Sequence, residues 1–205
     1  MAKAPVPGAV KTRLRLPPED AARIQETMIS DAIEKASSVA PVAVAASPAA
    51  ELDSMRRLLP AYTPLFAQPE GGLGYKMLAG ARELFGRVAG PVLVIGTDAP
   101  TLPASYLREA LHALENGSDV ALTPSEDGGY VAIGLRKPHA ALFEGISWST
   151  PQVHRQTIEA ARRAGLSVYE TSPWYDVDEP EDLERLRAEL TRDPRLAPRT
   201  AHLLG

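Results

Sequence analysis

Residues 91–103 read PVLVIGTDAPTLP, and how this stretch is interpreted decides the fold. Its apolar core, Val92-Leu93-Val94-Ile95, is mostly β-branched and is bounded by Pro91 and Gly96. A short continuous run of this kind suits a strand buried on both faces, as at the centre of a parallel sheet. In open α/β sheets, ligands gather beyond the carboxyl ends of the strands. Asp98 therefore falls where chemistry is expected, on a turn that Pro100 and Pro103 stiffen. An acid there suits a hard cation that also touches phosphate oxygens. It suits a local Asx turn or helix cap equally well.

Working outward, strands and helices alternate. Strand-type runs are read at 41–47, 62–68, 120–124, 129–135 and 166–170, and helical periodicity at 19–36, 50–59, 103–115, 151–164 and 180–190. A further helix follows the glycine-rich turn that opens residues 70–88. Pro64, inside the second strand run, marks an edge or bulge. The alternation implies a mostly parallel sheet covered on both faces, in a single three-layer α/β/α domain spanning residues 1–205. Residues 191–205, rich in Arg, Pro and Ala, form a C-terminal extension that is either frayed or packed.

With 205 residues and 44% hydrophobic content, the chain has ample material for a core. A net charge of −4 argues against a general nucleic-acid or anionic-membrane surface, so any positive site must be local. The absence of cysteine excludes disulfides, thiolate catalysis and cysteine-based zinc sites, and agrees with a cytoplasmic protein. No run reaches the length of a membrane span, and the N-terminus lacks the apolar core of a signal peptide.

The local positive site is the opening, MAKAPVPGAVKTRL (1–14). Its small residues and prolines are built for shape, Gly8 can take left-handed conformations, and Lys3, Lys11, Thr12 and Arg13 offer charge and a hydroxyl to a polyphosphate. Lys11 and Arg13 are expected to face solvent. In QPEGGLGYK (68–76), Gly72 and its neighbours let backbone approach a flat ligand, and the Gln68 amide could read a base edge. A plain strand-to-helix turn accounts for them almost as well. SEDGGYVAIGL (125–135) carries Glu126 and Asp127 before Gly128-Gly129, first of all a hairpin signal. WYDVDEPEDLERL (174–186) has Glu179, Glu181 and Asp182 at a helix start, while Asp176 or Asp178 could join Asp98 at a metal. Trp148 is a core anchor or a pocket wall, with packing favoured. The histidines, at 112, 139, 154 and 202, stand apart from the acidic motifs, so no histidine triad is expected.

Taken in order, AKAPVPGAVKTRL, IGTDAPTLP, SEDGGYVAIGL, ISWST and DVDEPEDL resemble the small bacterial GT-A-fold transferases grouped as a domain of unknown function (DUF2064), whose relatives include the molybdenum-cofactor and 2-phospholactate guanylyltransferases. The resemblance covers nearly the whole chain. It implies a nucleotide-diphospho-sugar transferase fold, with Gly8, Lys11 and Arg13 on the nucleotide phosphates and Asp98 and Asp178 on Mg²⁺ or Mn²⁺. By the same likeness Glu126, Asp127 and Gly129 line the acceptor side. Two departures stand out. Such proteins carry an apolar strand before the A-K-x-P loop, whereas only Met1 and Ala2 precede Lys3 here, implying either a start upstream or a sheet without its central strand. The GGLGYKM stretch also lacks the acids that similar proteins tend to have around this Leu-Gly pair.

The expectation is a metal-dependent transferase acting on a nucleoside triphosphate, passing a nucleotidyl group to a phosphorylated or hydroxyl small molecule. Lys11 and Arg13 then act by positioning and charge neutralisation. The alternative is a glycosyltransferase using a nucleotide sugar, with Asp127 as base. A non-catalytic nucleotide sensor is the third reading, and it would not need two metal acids. No nucleic-acid or membrane partner is expected.

Overall fold

The computed structural model describes all residues, 1–205. Its elements are β1 (Ala2–Lys3), α1 (Pro18–Ser37), β2 (Val44–Ser47), α2 (Leu52–Leu58), β3 (Leu65–Ala67), α3 (Leu73–Phe85), β4 (Val92–Ile95), α4 (Ala104–Glu115), β5 (Val120–Pro124), β6 (Tyr130–Leu135), α5 (Val153–Arg163), β7 (Val168–Glu170), α6 (Pro180–Arg192) and α7 (Pro198–Leu204). The chain divides into two compact units: one of Met1, 68–96 and 105–175, the other of 2–67, 97–104 and 176–205. The architecture is mixed α/β and mostly parallel, with β1/β2, β2/β3 and β5/β7 parallel and β4/β6 and β5/β6 antiparallel. No helix is long and apolar enough to cross a membrane.

In the unit holding the N-terminal loop, the strand order is β1-β2-β3. The strand feeding the loop is present but only two residues long, with Ala2 opposite Ala46 and Lys3 opposite Ser47. The Ala4 amide extends the pairing to the Ser47 carbonyl at 2.7 Å. Small side chains make this possible, since Ala2, Ala4 and Ala46 bury fully against Ile29, Ile33, Val44 and Met55. β3 lies at the edge, one of the two alternatives read from Pro64; the proline itself sits just outside the strand, and its carbonyl accepts from the Val44 amide.

The C-terminal extension is packed, not frayed. Thr27, Asp31 and Lys35 recur every four residues on α1 and so share one face. Asp31, 2% exposed, accepts from the Arg199 and Thr200 amides and the Thr200 hydroxyl, holding the start of α7. Lys35 donates to the carbonyls of Leu196 (2.9 Å) and Pro100 (2.6 Å).

In the other unit the order is β4-β6-β5-β7. Here the expectation for residues 91–96 is corrected. β4 is the last strand of its sheet and pairs antiparallel with β6, so it is not a central parallel strand. The Gly128-Gly129 turn sends β6 back along β5, and β6 takes the place between β5 and β4. The run is apolar because both faces are nonetheless covered. Val92, Val94, Val120, Leu122, Ile133 and Leu135 pack with Met77, Leu78 and Ala81 of α3. On the opposite face Leu93 and Ala121 meet Ala110 and Leu114 of α4. A side chain at Gly134 would be driven into Leu93 and Leu114, so glycine there is required by the close approach of α4.

Two stability tests follow. A β-carbon at Gly74, on α3, would lie 2.6 Å from the Trp148 ring. Gly74→Ala should therefore lower the melting temperature, the overpacking cost of about 1–3 kcal/mol exceeding a helix-propensity gain of about 1 kcal/mol. A melting temperature at or above wild type would show that the indole yields. Burial pushes the Lys35 ammonium down from 10.5 to about 8, against the pull of Asp31 and Glu189. A lowered folded pKa means the native state holds fewer protons than the unfolded chain between these values, so Lys35 makes stability rise with pH from about 8 to 10.5. Denaturant melts across this range should show the rise in wild type and its loss in Lys35→Met.

Candidate functional site

The N-terminal loop is shaped by its own sequence. Val6-Pro7-Gly8-Ala9 forms a β-turn with Gly8 at φ 75° and the Ala9 amide donating to the Val6 carbonyl at 3.0 Å. Proline second and a left-handed glycine third are what a type II turn requires. Lys3 folds back to donate to the Ala9 carbonyl at 2.6 Å. Beyond the turn, Val10 and Leu14 bury as anchors, and Lys11 takes a left-handed backbone at φ 48°. Thr12 opens a 3₁₀ turn that runs to Leu14.

That conformation turns Lys11 inward. Its side chain is 4% exposed, which corrects the expectation of a solvent-facing charge. The ammonium lies 2.5 Å from Asp98 Oδ1 and 3.3 Å from Asp178 Oδ1, and donates to the Val177 carbonyl at 2.7 Å. The ammonium is thus enclosed by three oxygen partners. The Val177 amide returns a bond to the Asp98 carbonyl at 2.8 Å, stitching the two acid-bearing segments together. Arg13, well exposed, approaches Asp178 Oδ2 at 3.5 Å and pairs with Glu179.

The acids at the start of α6 divide their labour. Glu179 is the N-cap, in a capping box with Asp182, which accepts from the Asp178 and Glu179 amides at 3.0 and 2.8 Å. The Asp178 carboxylate is left to face Lys11 and Arg13. Asp98 and Asp178, distant in sequence, are therefore neighbours about one ammonium, each with over two-fifths of its side chain exposed. As a donor set, two partly solvated carboxylates fit a Mg²⁺-type ion that takes its remaining ligands from water and phosphate. No group of three or more His, Cys, Asp or Glu side chains gathers at metal-binding spacing.

In the other unit, Glu126, Asp127 and Gly129 share the turn between β5 and β6. Asp127 Oδ1 accepts from the Ser125 hydroxyl at 2.6 Å and the Gly129 amide at 2.9 Å, closing the turn. Gly128, at φ 92°, lies so close to the backbone of Pro151 that a β-carbon would fall 2.3 Å from its carbonyl oxygen. The Gly128 carbonyl accepts from the His154 amide at 2.9 Å. His154 thus adjoins an acidic motif, contrary to the sequence reading, and its Nε2 is 2.5 Å from Glu170 Oε1. The Glu126 amide donates to Trp174, whose own amide returns to Pro124. In the sequence, only its place directly before the acid motif in WYDVDEPED distinguishes Trp174.

Trp148 belongs to packing: it stacks on Phe143 and meets Tyr130 edge-on, both at 6.4 Å. Gly72 is the extended residue before the first turn of α3, with open space where a side chain would be. Gln68, partly buried, precedes that turn. Asp127→Ala should lower stability by about 1–2 kcal/mol by orphaning the turn's donors, while Asp127→Asn, which keeps an acceptor, should cost less. Paired denaturant melts check this, and equal losses would show that the charge, not the turn geometry, matters.

A family described as an uncharacterised protein conserved in bacteria (DUF2064) matches residues 30–150. Among solved structures, a protein from Desulfovibrio desulfuricans G20 provisionally named a nucleotide-diphospho-sugar transferase is 30% identical, with TM-score 0.91 over 99% of this chain and 90% of that one. The CMP:2-keto-3-deoxy-manno-octonic acid synthetase complexed with CTP has TM-score 0.56 at 14% identity, covering 81% of this chain and 88% of that one. A cytidylyltransferase from Leptospira borgpetersenii has TM-score 0.53 at 11% identity, covering 83% and 85%. No protein of curated function matches the sequence. These likenesses establish the nucleotide-diphospho-sugar transferase fold.

Proposed function

The chain belongs to the DUF2064 family, and from that premise we propose that it is a nucleotide-dependent transferase, one that passes a nucleotidyl group to a small-molecule acceptor. The observation that carries the reading is the pairing of Asp98 and Asp178 about Lys11, next to the exposed Arg13. Two carboxylates held together beside cationic side chains are what a triphosphate and a divalent ion jointly require. Asp98 and Asp178 would hold Mg²⁺ or Mn²⁺, which would neutralise charge on phosphate oxygens. Lys11 keeps the two acids from repelling each other, and Arg13 offers planar donors to the phosphates. The left-handed Gly8 turn brings backbone close to them.

In the proposed reaction an acceptor oxygen attacks the nucleotide's α-phosphorus, forming a new P–O bond. The bond to the bridging oxygen breaks, and pyrophosphate leaves with the electron pair. A phosphorylated acceptor, with its second ionisation near pH ~6, is already nucleophilic at neutral pH and needs no general base.

Glycosyl transfer is the second reading, supported by the naming of the Desulfovibrio relative. There the acceptor attacks the sugar carbon and a nucleoside diphosphate departs. Product analysis separates the two. Purified protein with Mn²⁺, each common nucleoside triphosphate and a panel of sugar phosphates should release pyrophosphate. Release of nucleoside diphosphate from nucleotide sugars instead would establish the second reading, and binding without turnover would make the protein a sensor. Arg13→Ala should weaken nucleotide binding roughly tenfold with the melting temperature unchanged, because a charge-assisted contact is lost from an exposed side chain.

A further inference from the structure

The Asp98 loop is an irregular segment with one internal turn bond, from the Leu102 amide to the Ala99 carbonyl at 3.1 Å, and Pro100 and Pro103 offer no amides to close it further. The carbonyl of Pro100, two residues beyond the acid, is instead taken by Lys35 Nζ at 2.6 Å. The same ammonium holds the Leu196 carbonyl, 2.9 Å away, in the segment that leads into α7. One turn earlier on α1, Asp31 fixes the start of α7 through the Arg199 and Thr200 amides at 3.1 and 2.8 Å, and the Thr200 hydroxyl reaches Thr27 at 3.2 Å. One polar face of α1 therefore holds the acid loop and the C-terminal segment together. An apolar side chain of similar length would fill the space of Lys35 without the cost of desolvating a charge. What it would lose is the pair of carbonyl ties.

We propose that Lys35 is a positioning residue for Asp98, and that through it residues 194–204 are a working part of the loop that presents this carboxylate. Calling that loop part of a nucleotide and metal site rests on the function proposed above; the mechanical tie does not. The loop is held first at Asp98, by Lys11 and the Val177 amide, and second at Pro100, by Lys35, with the Leu102 amide closing a turn onto the Ala99 carbonyl at 3.1 Å. Without the second hold, the carboxylate keeps its partner but samples a wider range of positions.

The experiment is hydrogen-exchange mass spectrometry on the full chain for wild type, Lys35→Met and Lys35→Arg, with Mn²⁺ affinity measured in parallel. In Lys35→Met, amides of residues 97–102 should exchange about tenfold faster while those of β2 keep their protection, as expected for loss of a charge-assisted tie at a locally opening loop. Lys35→Arg, which keeps a cationic donor, should recover part of the protection. Mn²⁺ should bind severalfold more weakly to Lys35→Met than to wild type. Should the methionine variant melt too low, Lys35→Leu, which also lacks a donor, gives the same comparison. Unchanged exchange at 97–102, or a uniform rise across the unit, would overturn the positioning role. If the exchange changes as expected but wild type shows no Mn²⁺ affinity, the tie stands and the metal-site reading fails.

Discussion

The buried ammonium of Lys11 is the constraint around which its unit is arranged. A charge with 4% of its side chain exposed is sustained only by partners, and here they are the Asp98 and Asp178 carboxylates and the Val177 carbonyl. Each partner lies on a different segment from the lysine. The N-terminal loop must present Lys11 from the left-handed region, residues 97–104 must bring Asp98 to it, and the start of α6 must leave Asp178 free of capping. Glu179 and Asp182 meet the last condition by forming the capping box between them. One ion cluster thus selects the conformation of three chain segments.

Small side chains make the same unit's sheet feasible with a strand of two residues. Ala2 and Ala4 bury completely, and the Ala4 amide reaches Ser47 just past the pairing of β1. What the strand lacks in length is offset by ties from its flanks. Lys3 closes the loop on itself, and α1 covers the sheet with Ile29 and Ile33. The polar face of the same helix, with Thr27, Asp31 and Lys35, then draws in the C-terminal segment. A single helix so contributes apolar burial on one side and directional hydrogen bonding on another.

In the other unit the Ser125–Gly129 turn has the comparable role. Its reversal is fixed by an aspartate side chain and by a glycine pressed against the backbone of Pro151. That reversal inserts β6 beside β5 and moves β4 to the edge of the sheet. It also brings His154 and Trp174 to the turn through backbone bonds that involve neither side chain.

The alternation of strands and helices is legible in the sequence, because apolar periodicity and glycine-proline punctuation are local properties of the chain. Also legible there are the loop glycine, the cap-rich start of α6 and the acids that end strands, since turns and caps depend on neighbouring residues alone. Tertiary structure decided the rest. Whether Lys11 points to solvent or inward depends on carboxylates far along the chain, and no local pattern encodes their approach. The edge position of β4 follows from where β6 inserts, while its composition reflects only that two helices cover it; an apolar run reports burial, not its neighbours. The C-terminal extension looked uncommitted because Asp31 and Lys35, which hold it, are read from sequence as ordinary polar residues of an amphipathic helix. Their function is set by which backbone groups the fold brings within about 3 Å, a distance that exists only once the chain is packed.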